Sequence, residues 1–391
     1  MLAVGIALAT ALGLSACSSG GAQAPLADVP KGTVGVEHAA QTEAPATFTA
    51  QPANGAADAS PKGPITVSVS GGTVGSVQLT NPDGKQVKGE VSADKKTWTA
   101  SEQLGYGKTY TWSGTATGGN GQQLPITGSF TTVKPKSTVS GQLNVGDNQQ
   151  YGIAMPISIT FSGKVTDKAS VEKALKVETS VPTEGSWAWL DDKTVHWRPK
   201  AYWKPETKVT VTAGLYGASF GNGVYGKGDV SSTFTIGREQ TVEGNTQTHR
   251  LVIKRGGEVI HDFPASFGLD SDPGRVSKSG IHVVMEKYEI KKMTNEKYDY
   301  KDVPVPWAVR ISNNGEFIHG LQGSIPSQGK RNVSHGCTNL SPANAKIYYD
   351  SVLPGDPVDI EGSTQKLSAA DGSYYDWAFS WEDWAAKSAL K

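Results

Sequence analysis

Apolar and polar residues alternate with a period of two over most of this chain. Ile65-Thr66-Val67-Ser68-Val69, Gly75–Leu79, Thr109-Tyr110-Thr111-Trp112 and Gly128–Thr132 read as strands. Asn81-Pro82-Asp83-Gly84 and Ala93-Asp94-Lys95-Lys96 supply turns between them. The theme recurs at Ile157–Phe161, Val195–Arg198, Val209–Ala213 and Ser232–Ile236. Residues 94–114 and 192–214 share an order: an Asp-Lys turn, a tryptophan strand, a polar link and an alternating strand ending in glycine. Two all-strand modules follow, 62–135 and 136–237, each the size of an immunoglobulin-like sandwich. Trp98 and Trp197 are expected to fill their cores, as strand tryptophans with alternating neighbours do. Trp187, Trp189 and Trp203 are candidates for an interdomain contact.

A third module spans 238–363. Thr248–Ile253 and Glu258–Pro264 flank the Lys254–Gly257 hairpin turn, and Trp307–Ile311 and Glu316–His319 flank Ser312-Asn313-Asn314-Gly315. One helix is evident, with Ser341 as cap, Pro342 in its first turn and Pro354-Gly355 as its stop. Asp356–Ile360 is a final strand. The segment 285–310, rich in Lys and Glu at its centre, reads as a lid over a site or as a solvated loop. Trp307 is placed behind the strand that carries the site. Residues 364–391 form a tryptophan-rich extension, with Trp377, Trp381 and Trp384 on one face of a short helix. That face docks on the rest of the protein or, alternatively, on a membrane surface. The fold class expected is mainly β, two sandwiches followed by a β-rich catalytic module.

The start of the chain differs. Residues 1–17 are apolar and end in small residues, as an export signal does, but without a basic beginning. Residues 18–61 are rich in Ser, Gly, Ala, Pro, Thr and Gln and read as a flexible tether. Lys plus Arg and Asp plus Glu stand at 37 each, which argues against nucleic acid as a partner. No zinc-like cysteine pair and no phosphate-loop glycine pattern is present.

Of two cysteines, Cys17 ends the leader and Cys337 is left without an intrachain disulfide partner. Cys337 lies in Ser334-His335-Gly336-Cys337-Thr338-Asn339, among small polar residues, and is a candidate nucleophile rather than an inert core thiol. Thiolate acyl transfer needs a histidine to take the thiol proton and later protonate the leaving amine. His335 is too close in sequence for a good in-line bond to the thiol. His319, at a strand end, can be aimed freely, so geometry favours it as the base. The N–H groups around Gly336, Cys337 and Thr338 are a natural oxyanion hole.

His319 together with Ser334–Asn339 resembles the signature of the L,D-transpeptidase (YkuD) family of cysteine acyltransferases. The sandwiches, the leader and the C-terminal tail resemble actinobacterial lipoprotein forms of it, which implies that the tail packs against the catalytic module and steadies it relative to the preceding sandwich. Leu14-Ser15-Ala16-Cys17 resembles a lipobox, which implies cleavage before Cys17, lipidation of its thiol and a membrane-anchored, extracytoplasmic protein facing the cell wall. The resemblance implies that Cys337 is acylated, that His319 is the base and that the Gly320 carbonyl orients it. His335 would support the site, and Ser334 and Asn339 would shape the loop or hold substrate, with Thr338 beside them. Met285 would line the donor pocket, and Tyr298 or Tyr300 would close over it. The implied reaction joins two peptidoglycan stem peptides 3→3 through a thioester, releases D-Ala, is blocked by carbapenems and calls for no metal or cofactor.

Overall fold

The computed structural model describes residues 45–371 and 374–390, so Cys17 and most of the expected tether lie outside the described residues. The first sandwich pairs a four-stranded sheet, ordered Thr47–Gln51, Thr66–Ser70, Thr97–Ala100, Gly89–Val91, with a three-stranded one, Gly72–Thr80, Thr109–Gly118, Gln123–Thr131. It therefore begins before residue 62, which corrects the tether's expected end. Thr47–Gln51 alternates, pairs antiparallel with Thr66–Ser70, and offers Phe48 to the core. The polar and Ala-Pro-rich residues around it hide this strand in composition. Trp98 meets Trp112 edge-to-face in that core, ring centroids 5.5 Å apart.

The second sandwich stacks Gly185–Trp189, Thr194–Pro199, Ile157–Phe161 and Gly141–Leu143 on a sheet that includes Lys208–Ala213 and Val230–Ile236. Trp187, Trp189 and Trp203 join Trp197 in its core, so they are not an interdomain patch. The Trp203 indole N–H ends on the Met155 carbonyl at 2.8 Å, which satisfies its one polar atom. The joint to the first sandwich is knitted by tyrosines. Tyr216 donates to the Leu104 carbonyl at 2.6 Å and Tyr106 to the Gly226 carbonyl at 2.7 Å.

The third module has two sheets. One runs Glu258–Pro264, Arg250–Arg255, Gln240–Asn245, Pro357–Glu361, Gly280–Val283. The other runs Glu286–Asn295, Tyr300–Arg310, Phe317–Gly320, Thr338–Leu340. The helix Pro342–Ser351, capped by the Ser341 hydroxyl on the Asn344 N–H, packs Ala345 and Tyr348 into the core with Ile318, Leu340 and Val358. The 285–310 segment is a long β-hairpin, not an irregular loop. Trp307 is partly buried on it and packs against Tyr349 of the helix. The module meets the second sandwich through Gly152 and Ala154 N–H groups on the Pro354 and Gly355 carbonyls, both 2.8 Å. Among the described residues no helix is long and apolar enough to cross a membrane.

The C-terminal helix is Trp381–Ala385, capped by Ser380, so Trp377 lies outside it and the three tryptophans do not share one helical face. They surround a side chain instead. The Arg198 guanidinium lies 4.6, 5.5 and 5.0 Å from the ring centroids of Trp377, Trp381 and Trp384. Arg198 belongs to the second sandwich, where the buried His196 also meets the buried Asp376 at 2.8 Å. The tail thus docks mainly on that sandwich, which corrects the expected packing on the catalytic module. Asp371, bonded to Lys278 and Asn314, ties its beginning to the third module.

Candidate active site

The site is built on two parallel strands. Phe317–Gly320 pairs with Thr338–Leu340 in the register Ile318↔Thr338, His319↔Asn339, Gly320↔Leu340. Alternate residues of a strand point to the same side, so Phe317 and His319 project with Cys337 and Asn339, while Ile318 and Leu340 enter the core on the other side. His319, Cys337 and Asn339 line one cavity of about 360 Å³, with Tyr300, Ser334 and His335 at its wall. The hairpin adds Met293, Val303 and Val305.

The His319 ring is buried, and its Nδ1 lies 3.1 Å from the Gly320 carbonyl oxygen. A carbonyl only accepts, so Nδ1 carries the proton and Nε2 is left as the basic nitrogen. Burial pushes the imidazole below its ordinary value, and the Gly320 carbonyl opposes this in part. Glycine at 320 also suits the packing. A Cβ there would lie 3.0 Å from Pro342 Cα and 3.1 Å from Pro306 Cγ.

Cys337 is partly exposed at the cavity, yet enclosure by the strands pushes its thiol up to about 12. A bond from the Phe317 backbone opposes the shift and the Glu316 carboxylate adds to it. Both shifts favour the neutral forms, a thiol and an imidazole, and the thiol donates to the Gly315 carbonyl at 3.7 Å. Neutral forms avoid placing two charges in a low-dielectric pocket.

The loop before Cys337 is held group by group. The Ser334 hydroxyl accepts from the Gly336 N–H at 3.2 Å and donates to the Cys337 carbonyl. Gly336 has φ +115°, which few other residues adopt. Arg275 donates from Nε to the Ser334 carbonyl at 3.1 Å and from its other end to that of Val333. Ser277 bonds the Gly336 carbonyl.

His335 is exposed and lies under two tyrosines of the hairpin, with Tyr298 and Tyr300 centroids at 4.8 and 5.3 Å. Tyr300 lines the cavity, whereas Tyr298 reaches Asp272 at 3.3 Å. Burial, then Arg275, pushes His335 below its ordinary value, with Asp272 opposing. Thr338 is buried beside the cavity and does not line it. The expectation for Met285 is corrected. The methionine at the cavity is Met293, because the hairpin folds its far half over the site, and the Met285 N–H pairs with the Arg310 carbonyl at its base. Arg275, Ser277, Glu316 and Met293 were not singled out from sequence. Nothing in Arg275-Val276-Ser277 marks them, since their partners are about sixty residues away.

The L,D-transpeptidase catalytic domain family matches residues 239–360, and a bacterial Ig domain family matches residues 56–219. L,D-transpeptidase 5 of Mycobacterium tuberculosis is 47% identical over 88% of this chain and 77% of its own length. L,D-transpeptidase 2 of the same species is 34% identical over 97% of this chain and 93% of its own. A solved L,D-transpeptidase in complex with imipenem is 30% identical over 56% of this chain and 97% of its own, with a TM-score of 0.48. With Cys337 and His319 on one face of paired strands behind two sandwiches, and relatives that match along nearly the whole chain, this protein belongs to the L,D-transpeptidase family.

Proposed function

We propose that this L,D-transpeptidase joins two diaminopimelate-containing stem peptides of peptidoglycan through Cys337. The donor is a tetrapeptide stem ending in D-Ala. His319 Nε2 takes the thiol proton as sulfur attacks the carbonyl at the L-centre of the diamino acid. The tetrahedral oxyanion collapses, the C–N bond breaks, and the imidazolium returns its proton to the departing D-Ala amine. The side-chain amine of a second stem then attacks the thioester, gives its proton to His319 Nε2, forms the 3→3 amide and releases the thiolate, which takes that proton back. The observation that carries this reading is the shared face of His319 and Cys337 at one cavity, with His319 Nδ1 on the Gly320 carbonyl.

Asn339 supports it further. Its side chain is buried at the cavity wall and its Oδ1 has no protein partner, which suits a peptide N–H of the donor. Tyr300 and Met293 supply apolar cover from the hairpin. A carbapenem offers a strained lactam carbonyl to the same thiol, so a stable acyl adduct on Cys337 belongs to this reading. Outside the described residues, Cys17 would carry the lipid that holds the protein at the outer face of the membrane. The residues after it and the two sandwiches would then act as a stalk that sets the height of Cys337 toward the wall.

Incubation of the full chain with disaccharide-tetrapeptide, read by mass spectrometry, is expected to give a cross-linked dimer lacking one alanine. Cys337→Ala should give none, and imipenem should add its mass to the native chain only. Cross-linking that persists in Cys337→Ala would overturn the reading.

A further inference from the structure

We propose that Ser277 is a positioning residue that aims the Cys337 N–H at the oxyanion, a role that rests on acylation of Cys337 as read above. Ser277 is fully buried. Its hydroxyl accepts from the Gly268 N–H at 2.9 Å and lies 2.6 Å from the Gly336 carbonyl oxygen. The direction of the second bond is not open to choice. An amide N–H can only donate and a carbonyl can only accept, so the single hydroxyl proton goes to Gly336.

That bond fixes a peptide plane. In a trans peptide the carbonyl oxygen and the following N–H point in opposite directions. Holding the Gly336 oxygen against Ser277 therefore turns the Cys337 N–H the other way, away from the Ser277 segment. Of the other two amides, the Gly336 N–H rests on the Ser334 hydroxyl at 3.2 Å, and Thr338 already belongs to the strand paired with Phe317–Gly320. The Cys337 N–H is thus the loop donor to be aimed, and Gly336 at φ +115° is a backbone pivot about which that peptide could otherwise turn.

Ser277 is itself held from its next residue. The Lys278 N–H donates to the Glu316 carboxylate at 3.1 Å, and the Lys278 carbonyl accepts from His282 Nε2 at 2.8 Å. Glu316 and His282 are both buried. The segment behind the oxyanion peptide therefore has both backbone groups of Lys278 clamped, one from the strand turn before His319 and one from the neighbouring sheet. A carbonyl fixed from behind by a clamped hydroxyl is the kind of preorganisation that lets an N–H stabilise developing charge without moving.

The test separates oxyanion chemistry from thiol chemistry on the full chain. Acylation by imipenem passes through an oxyanion, whereas alkylation by iodoacetamide displaces iodide and forms none. Ser277→Ala should slow acylation by at least about tenfold, below the 10²–10³ of deleting a donor outright because the N–H is misaimed rather than removed. Its alkylation rate at fixed pH should stay within about twofold of the native chain. Ser277→Thr should recover acylation and Ser277→Val, of the same shape without the hydroxyl, should not. Should Ser277→Ala not fold, the Thr to Val ratio carries the test, at about tenfold or more. Acylation at the native rate in Ser277→Ala, equal rates for Thr and Val, or a parallel fall in alkylation would each overturn the role. A native chain that imipenem fails to acylate would instead overturn the proposed function.

Discussion

His319 stands opposite Asn339 across two parallel strands, which puts an imidazole and a buried carboxamide side by side on the face that carries Cys337. The carboxamide oxygen has no protein partner. Asn339→Ala is therefore expected to weaken donor binding rather than chemistry. The loss in kcat/KM should be about tenfold, the worth of one hydrogen bond in a buried site, and should appear in KM. Steady-state kinetics with a tetrapeptide donor check this, and a loss confined to kcat would refute it.

The two shifts at the centre predict different pH profiles for two reactions. Burial lowers His319, so the ring stays neutral and able to accept a proton further into the acid range than a free imidazole. The acid limb of imipenem acylation should then lie below pH 6.5, the ordinary imidazole value, with a level rate above it. Burial raises the Cys337 thiol to about 12, so the free thiolate is a small fraction that grows with pH. Iodoacetamide alkylation should climb about tenfold per pH unit through the neutral range. An alkylation rate that levels off near neutrality would mean a resting thiolate–imidazolium pair instead.

Gly336→Ala should be a local lesion. A Cβ there would meet its nearest neighbours, the Val276 oxygen and Glu316 Cγ, at 3.6 and 3.7 Å, which is ordinary contact. The cost is therefore in the backbone, at φ +115°, and is of order 1–3 kcal/mol if the loop keeps its path. The expected outcome is a folded protein whose acylation rate falls about a hundredfold as the loop relaxes. An unchanged rate would show that this conformation is not needed for acylation.

The tail should stabilise the second sandwich more than the catalytic module. Trp384 is fully buried, and its indole N–H donates to the Ser186 carbonyl at 3.0 Å. Trp384→Ala is expected to cost about 3–5 kcal/mol, read by urea denaturation of the full chain. A fragment of residues 238–391 keeps the tryptophans but not Arg198, and should be prone to aggregate. Deleting residues 374–391 from that fragment should improve its solubility. A fragment that is monomeric with the tail and insoluble without it would place the tail's main partner in the catalytic module.

The period-two pattern determined that the protein is built of strands, and the Asn314-Gly315 turn and Ser341-Pro342 cap determined where a hairpin and a helix begin. Such signals are local, because turn and cap conformations depend on a few adjacent residues. The motif around Cys337 was legible for the same reason. It is short, and small polar residues around a lone thiol are a poor way to build a core.

What tertiary structure decided involves partners far apart in the chain. Thr47–Gln51 is a strand because Thr66–Ser70 offers it an edge, and its polar surroundings read as a tether. Met293 rather than Met285 reaches the cavity because a hairpin folds over it. Trp377, Trp381 and Trp384 find Arg198 rather than a common helical face, since a buried guanidinium needs aromatic cover wherever the chain can bring it. Ser277 comes to lie against Gly336 only when the loop and the neighbouring sheet are assembled. A side chain's type and spacing state what it is able to do. Which group it meets is set by strand pairing and packing over long separations, and no local pattern encodes that.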